Sequence, residues 1–378
     1  MKLKGTLMKV DNTTQKHNWH IIFIMAGAMT ASLIGSGFAT GQEIIQYFVA
    51  HSWQGLLGIL TTFITVAFMG YAFFRVGLNR KKDLSSPNDV FIIFAGQKIG
   101  TIYKYLALIV LFLTYAVMVA GAGATIHHQF GIPVIVGSGI MYILSAGTVM
   151  LGLEKLTNIL GNIGPVIAVI AIILGFIGLF MYQGNLDQAD QLVNAALAND
   201  TIHAASGNWL ISALNYVGLI IMLNAGFLAQ TGTHANQIKE TKAAALLSSG
   251  IYAAGILILF LAFMAGFSRV GGAQVPSLII ANDIHPIVSY LFIVIIMLAI
   301  YTTIVAMLWN VASSVAIEGT KTHKWITALI GLIATLIGLF LPFDQLVNIV
   351  YVVSGYFGIV FLFIMIGKFI QMHRQYKR

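Results

Sequence analysis

The residues with chemistry to offer gather in one short stretch, Leu33–Glu43, which reads L-I-G-S-G-F-A-T-G-Q-E. Three glycines (Gly35, Gly37, Gly41), two hydroxyls (Ser36, Thr40) and a Gln42–Glu43 pair stand there between two apolar runs, Ile21–Ala31 and Ile44–Ala50. Glycine lowers helix preference by about 1 kcal/mol relative to alanine. A cluster of glycines at mid-span predicts an interrupted helix, and hydrocarbon tolerates a break only where it faces protein or a water-filled cavity. The ordinary alternative is that small residues let a neighbouring helix pack closely.

An interrupted helix brings two free ends together. The second half-helix is expected to start near Gly37–Ala39, so the backbone N–H groups of Gly35, Ser36 and Gly37 suit a carboxylate. The first half ends around Ala31–Ile34, with free carbonyls that suit a cation or an ammonium group. A zwitterion fits between them, with Phe38, Tyr115 and Phe227 as candidate walls. Glu43 is a carboxylate well inside a span, and such a group is a functional candidate by default. With Gln42 beside it, Glu43 is a candidate for proton coupling or gating. Its structural alternative is favourable placement in the first turns of the second half-helix.

Composition says what must position these residues. The 378 residues are 58% hydrophobic and 8% charged, against about 25% charged in an ordinary soluble domain. Apolar segments of membrane-spanning length recur from end to end. The expected class is an all-α polytopic membrane protein. Ten spans are placed at Trp19–Ala50, Trp53–Leu78, Thr101–His128, Ile132–Gly152, Leu156–Met181, Asn208–His234, Lys242–Ser268, Pro286–Glu318, Thr322–Leu341 and Asp344–Gln371. The chain has no cysteine, which excludes disulfides and thiolate metal sites. The basic start is no cleaved signal, because the apolar segment after it is too long and nine more spans follow.

With the N-terminus placed in the cytoplasm, every one of the 20 lysines and arginines except Arg269 falls on the inner side. That distribution follows the positive-inside rule and puts both termini in the cytoplasm. The formal charge of +8 is then topology, with anionic lipid headgroups as its partner and no nucleic acid. The outer connection Tyr182–Gly207 holds Asp187, Asp190 and Asp200 but no lysine or arginine. It divides the chain into a tail (1–18), five spans (19–181), the connection (182–207), five more spans (208–371) and a second tail (372–378). Five-span halves cross the bilayer in opposite directions, the inverted-repeat plan of many secondary transporters. The sixth span should then be broken like the first. Gly218, Asn224, Gly226 and Gly232 interrupt it, which puts Asn224 among the substrate-binding candidates.

The segment Ile34–Ile44, I-G-S-G-F-A-T-G-Q-E-I, resembles the first-helix signature of the amino acid–polyamine–organocation transporters. Within them it is similar to the bacterial YkvI-type membrane proteins, whose first helix carries a G-F-A-T/S-G-Q-E pattern. The resemblance implies the five-plus-five inverted repeat of the leucine transporter class. It also implies amino acids or related small amines and zwitterions held between the first and sixth helices. A second stretch, W-N-V-A-S-S-V-A-I-E at Trp309–Glu318, resembles the part of the eighth helix where sodium-coupled relatives place hydroxyl ligands. Carried over by position, Ser313 matches such a ligand. Ala312 departs from the neighbouring threonine, with Ser314 as its substitute, and the carbonyls of Ala31 and Ile34 complete the implied sodium site.

Two departures bear on this. Phe38 stands where sodium-and-chloride-type relatives have an asparagine for a second sodium, which implies at most one. Gly164–Pro165 lies near the place where proton-coupled relatives put a sodium-mimicking lysine, which favours a real cation.

Enzyme chemistry has little to work with. Gly35–Ser36–Gly37 superficially resembles an intramembrane serine-protease motif, but a histidine base is needed at membrane depth. All ten histidines fall in loops or near span ends, and no H-E-x-x-H is present. The expectation is a plasma-membrane secondary transporter of a small-molecule solute, not an enzyme and without a resident cofactor. Sodium is the expected coupling ion and a proton the alternative; a channel or a transporter-fold sensor is the competing reading. No oligomeric state is read from the chain.

Overall fold

The structure, a computed structural model, describes residues 18–80, 84–273, 275–340 and 343–376. The N-terminal tail through residue 17, together with Lys81, Lys82, Lys377 and Arg378, lies outside the described residues. Among the described residues all regular structure is helical.

The first span is three helices in file: α1 (Trp19–Leu33), α2 (Ser36–Thr40) and α3 (Gln42–Tyr47). Then come α4 (Gly55–Asn79), α5 (Asp89–Phe130), α6 (Val134–Val149), α7 (Leu153–Tyr182) and the short α8 (Ala189–Ala198). The second half holds α9 (Trp209–Thr231), α10 (Ile238–Ala265), α11 (Phe267–Val270) and α12 (Pro276–Ile284). It closes with α13 (Pro286–Val315), α14 (Lys321–Phe340) and α15 (Phe343–Tyr376). Each of the ten expected segments coincides with helix. Eight segments among the described residues are long and apolar enough to cross a membrane, while α1 and α6 are shorter apolar helices. Their outer faces are apolar too: Ile102 and Ile109 on α5, Ile140 and Ile143 on α6, and Leu291 and Val294 on α13 are all exposed. Lipid is the solvent that accepts such a surface.

Helix starts follow local chemistry. The Asn208 side chain accepts from Leu210 N at 2.9 Å to begin α9. Gln237 and Glu240 form a reciprocal capping box on α10, and Pro286 opens α13 behind the His285 cap. The kink in α5 falls at Gly96, with φ +76°, a left-handed conformation that glycine adopts without steric cost.

The break in the first span is present. After Leu33 the Gly35 N–H turns back to Leu33 O at 3.1 Å, and Gly35 itself is extended (φ −89°, ψ −169°). A second joint follows at Gly41, left-handed at φ +88°.

The sixth span departs from expectation: α9 runs without interruption from Trp209 to Thr231. Its glycines serve approach, not breakage. A side chain at Gly218 would run into the backbone of Gly355 on α15, and one at Gly226 would meet Asn88 and Asn310 at 2.6–3.0 Å. The Asn224 amide donates to Ile220 O of its own helix at 3.1 Å. The close-packing reading of small residues holds for α9, and the interrupted reading holds for the first span.

Within the bundle, α1 packs on α7, α10 and α13, and α9 packs on α15, α4 and α5. The five-residue α2 touches α13 and α12. Several helical features lie outside the ten expected segments. Among them are α8, α12 and the turns of α5 that precede Gly96.

Candidate functional site

The break frees two carbonyls. With the Gly35 N–H turned to Leu33 O, Ala31 O loses its helical partner, and Thr302 Oγ1 on α13 donates to it at 3.4 Å. The next hydroxyl, Thr303 Oγ1, donates to Ile34 O at 3.2 Å. Both hydroxyls also reach Ala299 O at 3.0 Å. All four residues are buried. Two backbone carbonyls and two threonine hydroxyls thus converge from α1 and α13, an all-oxygen set without formal charge.

Those hydroxyls are not the expected ones. Ser313 Oγ lies 3.2 Å from His323 Nε2. Ser314 Oγ donates to Asn310 O at 2.8 Å and accepts from Asn88 Nδ2 at 3.2 Å. Ten residues of helix separate Ser313 from Thr303, about 15 Å along the axis, so neither serine reaches the break. Depth is the signal that could have shown which pair lies at the break. A partner for a mid-span break must itself be mid-span, and Thr302–Thr303 lies mid-helix, whereas Ser313 stands near the end of α13.

Beyond the break, Glu43 is buried and lies in the first turn of α3. Its carboxylate rests against Gly37, where any side chain would overlap it. Its Oε2 accepts from Tyr216 Oη of α9 at 2.9 Å, and Tyr216 is hydrogen-bonded in turn to the hydroxyl of Tyr252 on α10. Further rings pack against these two tyrosines. Phe38 stacks on Tyr252 with centroids 5.4 Å apart, Tyr47 lies 4.8 Å from Tyr216, and Phe48 meets Tyr216 edge-on at 5.5 Å. Among the described residues no ion pair is made to Glu43.

The expected site residues therefore divide. Ala31, Ile34, Gly35, Gly37, Phe38 and Glu43 come together, with Met118 of α5 against Gly35. Ser36 begins α2, and its side chain lies outside the described residues. Three expected wall or ligand residues sit elsewhere. Tyr115 shares a 2.9 Å hydrogen bond with Ser145 of α6, because a buried phenol seeks a hydroxyl partner and α6 supplies it. Phe227 packs edge-on against Trp309 at 6.2 Å, next to Gly226 and Asn310. Asn224 turns its amide to Ile220 O within α9. Thr302, Thr303, Tyr216 and Tyr252 belong to the site and were not anticipated. For the tyrosines no local signal marked them, since only the packing of α9 and α10 on α3 brings them to Glu43.

Gln42 faces a separate cleft of about 330 Å³, counting its open mouth, shared with Ile45, Thr201, Ile202, His203, Gly272 and Ala273. Its Oε1 is buried and without a hydrogen-bond partner. The cleft is closed from two sides, by the segment after α8, whose Ala205 N–H donates to Gln46 O at 3.1 Å, and by the turn before α12.

No family model matches the chain. It is 22% identical over 340 residues to the uncharacterized membrane protein YkvI of Bacillus subtilis, covering 89% of this chain and 93% of that one. Among solved structures, MhsT in complex with L-phenylalanine superposes with TM-score 0.62 at 17% identity, covering 90% of this chain and 87% of MhsT. A Na+-coupled sialic acid symporter, in a substrate-bound outward-open state, gives TM-score 0.62 at 14% identity, with 91% and 78% covered. At such identities the likeness establishes the fold, which this chain shares with membrane transporters.

Proposed function

We propose that this protein is a secondary active transporter that moves a small amine or amino acid-like solute by alternating access, coupled to a monovalent cation. The observation that carries the reading is the convergence of Ala31 O and Ile34 O with the hydroxyls of Thr302 and Thr303 across the break. Oxygen-only donors without a carboxylate suit a hard ion of low charge. Both hydroxyl protons can turn to Ala299 O, already 3.0 Å away, and leave their lone pairs to the ion. Sodium is the proposed ion, in keeping with the Na+-coupled structural relative. The solute is proposed to bind beside the break, where Gly35, Gly37 and Phe38 lie. The L-phenylalanine complex of MhsT supports a small amino acid-like molecule as its class.

Helix pairing supports the repeat. The contact of α1 with α7 is matched by α9 with α15, that of α10 with α1 by α4 with α9, and that of α5 with α6 by α13 with α14. We read 19–181 and 208–371 as two inverted halves on this basis, with both termini cytoplasmic in a plasma membrane and anionic headgroups at the basic face. Tags in the α4–α5 and α8–α9 connections that report the same side would refute that topology.

A proton is the second reading, favoured by the burial of Glu43 without an ion pair among the described residues. Uptake into proteoliposomes, with a solute panel and imposed sodium or proton gradients, decides between them. Solute-saturable uptake driven by sodium is the expected result. Binding without uptake under any gradient would mark a sensor on this fold, and ohmic current without solute saturation a channel.

A further inference from the structure

Where this chain turns left-handed it mostly uses glycine, as at Gly41, Gly96, Gly131 and Gly152. Among the described residues two others have positive φ. Asp200, at φ 52°, follows α8 in a conformation that a short polar side chain tolerates. Ser52 is the exception. Its φ of 51° is paired with ψ −140°, a combination close to glycine-only that persists where the surroundings impose it.

Here α8 imposes it. The helix packs on the turn Val49–Gln54 that follows α3. The Ser52 hydroxyl donates to Asp190 Oδ1, and the other carboxylate oxygen accepts from Asn194 Nδ2 at 3.3 Å. A glycine at 52 would be free of strain but would have no hydroxyl to offer. The placement matters because α3 is a six-residue lever. Gly41, at φ 88°, is the joint at one end, and the turn with Ser52 is the joint at the other. The connection 182–207 grips this lever at the turn through Asp190 and along its length through Ala205 N–H, which donates to Gln46 O at 3.1 Å. Connection and lever also line one cleft, in which the buried Gln42 Oε1 has no hydrogen-bond partner. Swinging the lever away relieves the Ser52 backbone and hydrates that oxygen, so two unfavourable terms favour release.

We propose that Ser52 and Asp190 form a loaded catch on α3. Their hydrogen bond holds the lever against the connection 182–207, and the strained Ser52 backbone pushes it away once the bond breaks. The proposal takes from the transporter reading only that α3 moves. It adds the contact that restrains the movement and the strain that assists it.

The chain has no cysteine, so Ile45→Cys, buried in the wall of the cleft, supplies a single thiol. A membrane-impermeant methanethiosulfonate reaches it when α3 leaves the connection. Full-length protein with this reporter is purified into lipid nanodiscs, and labelling rates are compared between variants. Where reclosing outpaces labelling, the rate follows the open population. Asp190→Ala and Ser52→Ala each remove the bond and keep the strain, so labelling should quicken about threefold or more. Combining the two should add little to either alone, and Asp190→Asn, which still accepts, should stay near the wild type. Ser52→Gly lacks the same bond as Ser52→Ala but also lacks the strain, so it should label about fivefold or more slowly than Ser52→Ala. A turn that is merely flexible predicts the opposite order, because glycine loosens it further. Labelling unchanged in Asp190→Ala and Ser52→Ala would overturn the catch, as would Ser52→Gly labelling as fast as Ser52→Ala or faster. Solute uptake into proteoliposomes is read beside it. The expected labelling order without uptake would uphold the catch and count against transport. Gradient-driven uptake with labelling indifferent to Ser52 and Asp190 would overturn the catch and leave transport standing.

Discussion

Thr303 on α13 donates its hydroxyl proton to the carbonyl of Ile34 at 3.2 Å, fastening the middle of one long helix to the break in another. Two residues 269 positions apart in sequence thereby share one hydrogen bond at the break. If an ion takes the place of that proton, it ties α1 to α13 and stabilises the arrangement that presents α2 to the solute.

Ion and solute would then favour one state of the same element without touching. Thr303→Ala should weaken solute binding at limiting sodium by roughly 5–150-fold, with recovery as sodium is raised. Thr302→Ala should do the same less strongly, given its longer 3.4 Å reach. Ser313→Ala should match the wild type at every sodium concentration. Solute affinity at low and high sodium measures all three, and a sodium-dependent loss in Ser313→Ala would move the ion site away from the break.

Gly37→Ala should be far more damaging than Gly35→Ala. A methyl at 37 overlaps the Glu43 carboxylate, whereas one at 35 lies 3.2 Å from Met118 Cε, the free end of a flexible side chain. Overpacking costs about 1–3 kcal/mol, and at Gly37 it also displaces Glu43 from Tyr216. Thermal unfolding and solute binding should fall together for Gly37→Ala. Equal behaviour of the two variants would mean that Glu43 does not lie where the structure places it.

The continuity of α9 has its own test. Gly218→Leu should destabilise the protein by several kcal/mol, since the new side chain meets the backbone of α15 and nothing there can yield. Asn224→Leu should leave solute affinity within about twofold, because the amide bonds only to its own helix. A large loss of affinity in a stably folded Asn224→Leu would return that residue to the binding site.

Arg269 is the basic residue that the topological count leaves on the outer side, and the structure gives it a partner. Its guanidinium forms a bidentate pair with Asp283 at 3.0 and 2.7 Å, and Asp283 also accepts from Tyr182 at 2.6 Å. Arg269 above all, with help from Tyr182, holds the Asp283 carboxyl below its ordinary value. A carboxyl shifted downward adds stability that is complete above its unfolded pKa and is lost as pH falls through the folded one. The link between α11 and α12 should therefore be insensitive to pH above about 5 and loosen below about 4. The effect should be small, because Arg269 is exposed. Hydrogen exchange of α12 at neutral and acid pH, in wild type and Asp283→Asn, measures it. Acid loosening of the same size in Asp283→Asn would assign the response to another group.

The amino-acid order alone determined the ten helical segments, the membrane class and the break at Gly35–Gly41. Hydropathy over some twenty residues and a glycine cluster are local properties, and the bilayer converts them directly into spans and interruptions. The tertiary structure decided which hydroxyls face the break. Thr302–Thr303 and Ser313–Ser314 are similar pairs on one helix; depth separates them, but only the rotation of α13 against α1 turns Thr302 and Thr303 to the break. It also decided what the glycines of α9 are for. A glycine can end a helix or admit a neighbour, and Gly218 admits α15 because Gly355 and Gly358 stand opposite it. Glu43 shows the same division. Its place inside a span is written in the chain, but its setting is made by Tyr216 and Tyr252, more than 170 and 200 residues away. No local pattern carries that contact, because it exists only once three helices have packed.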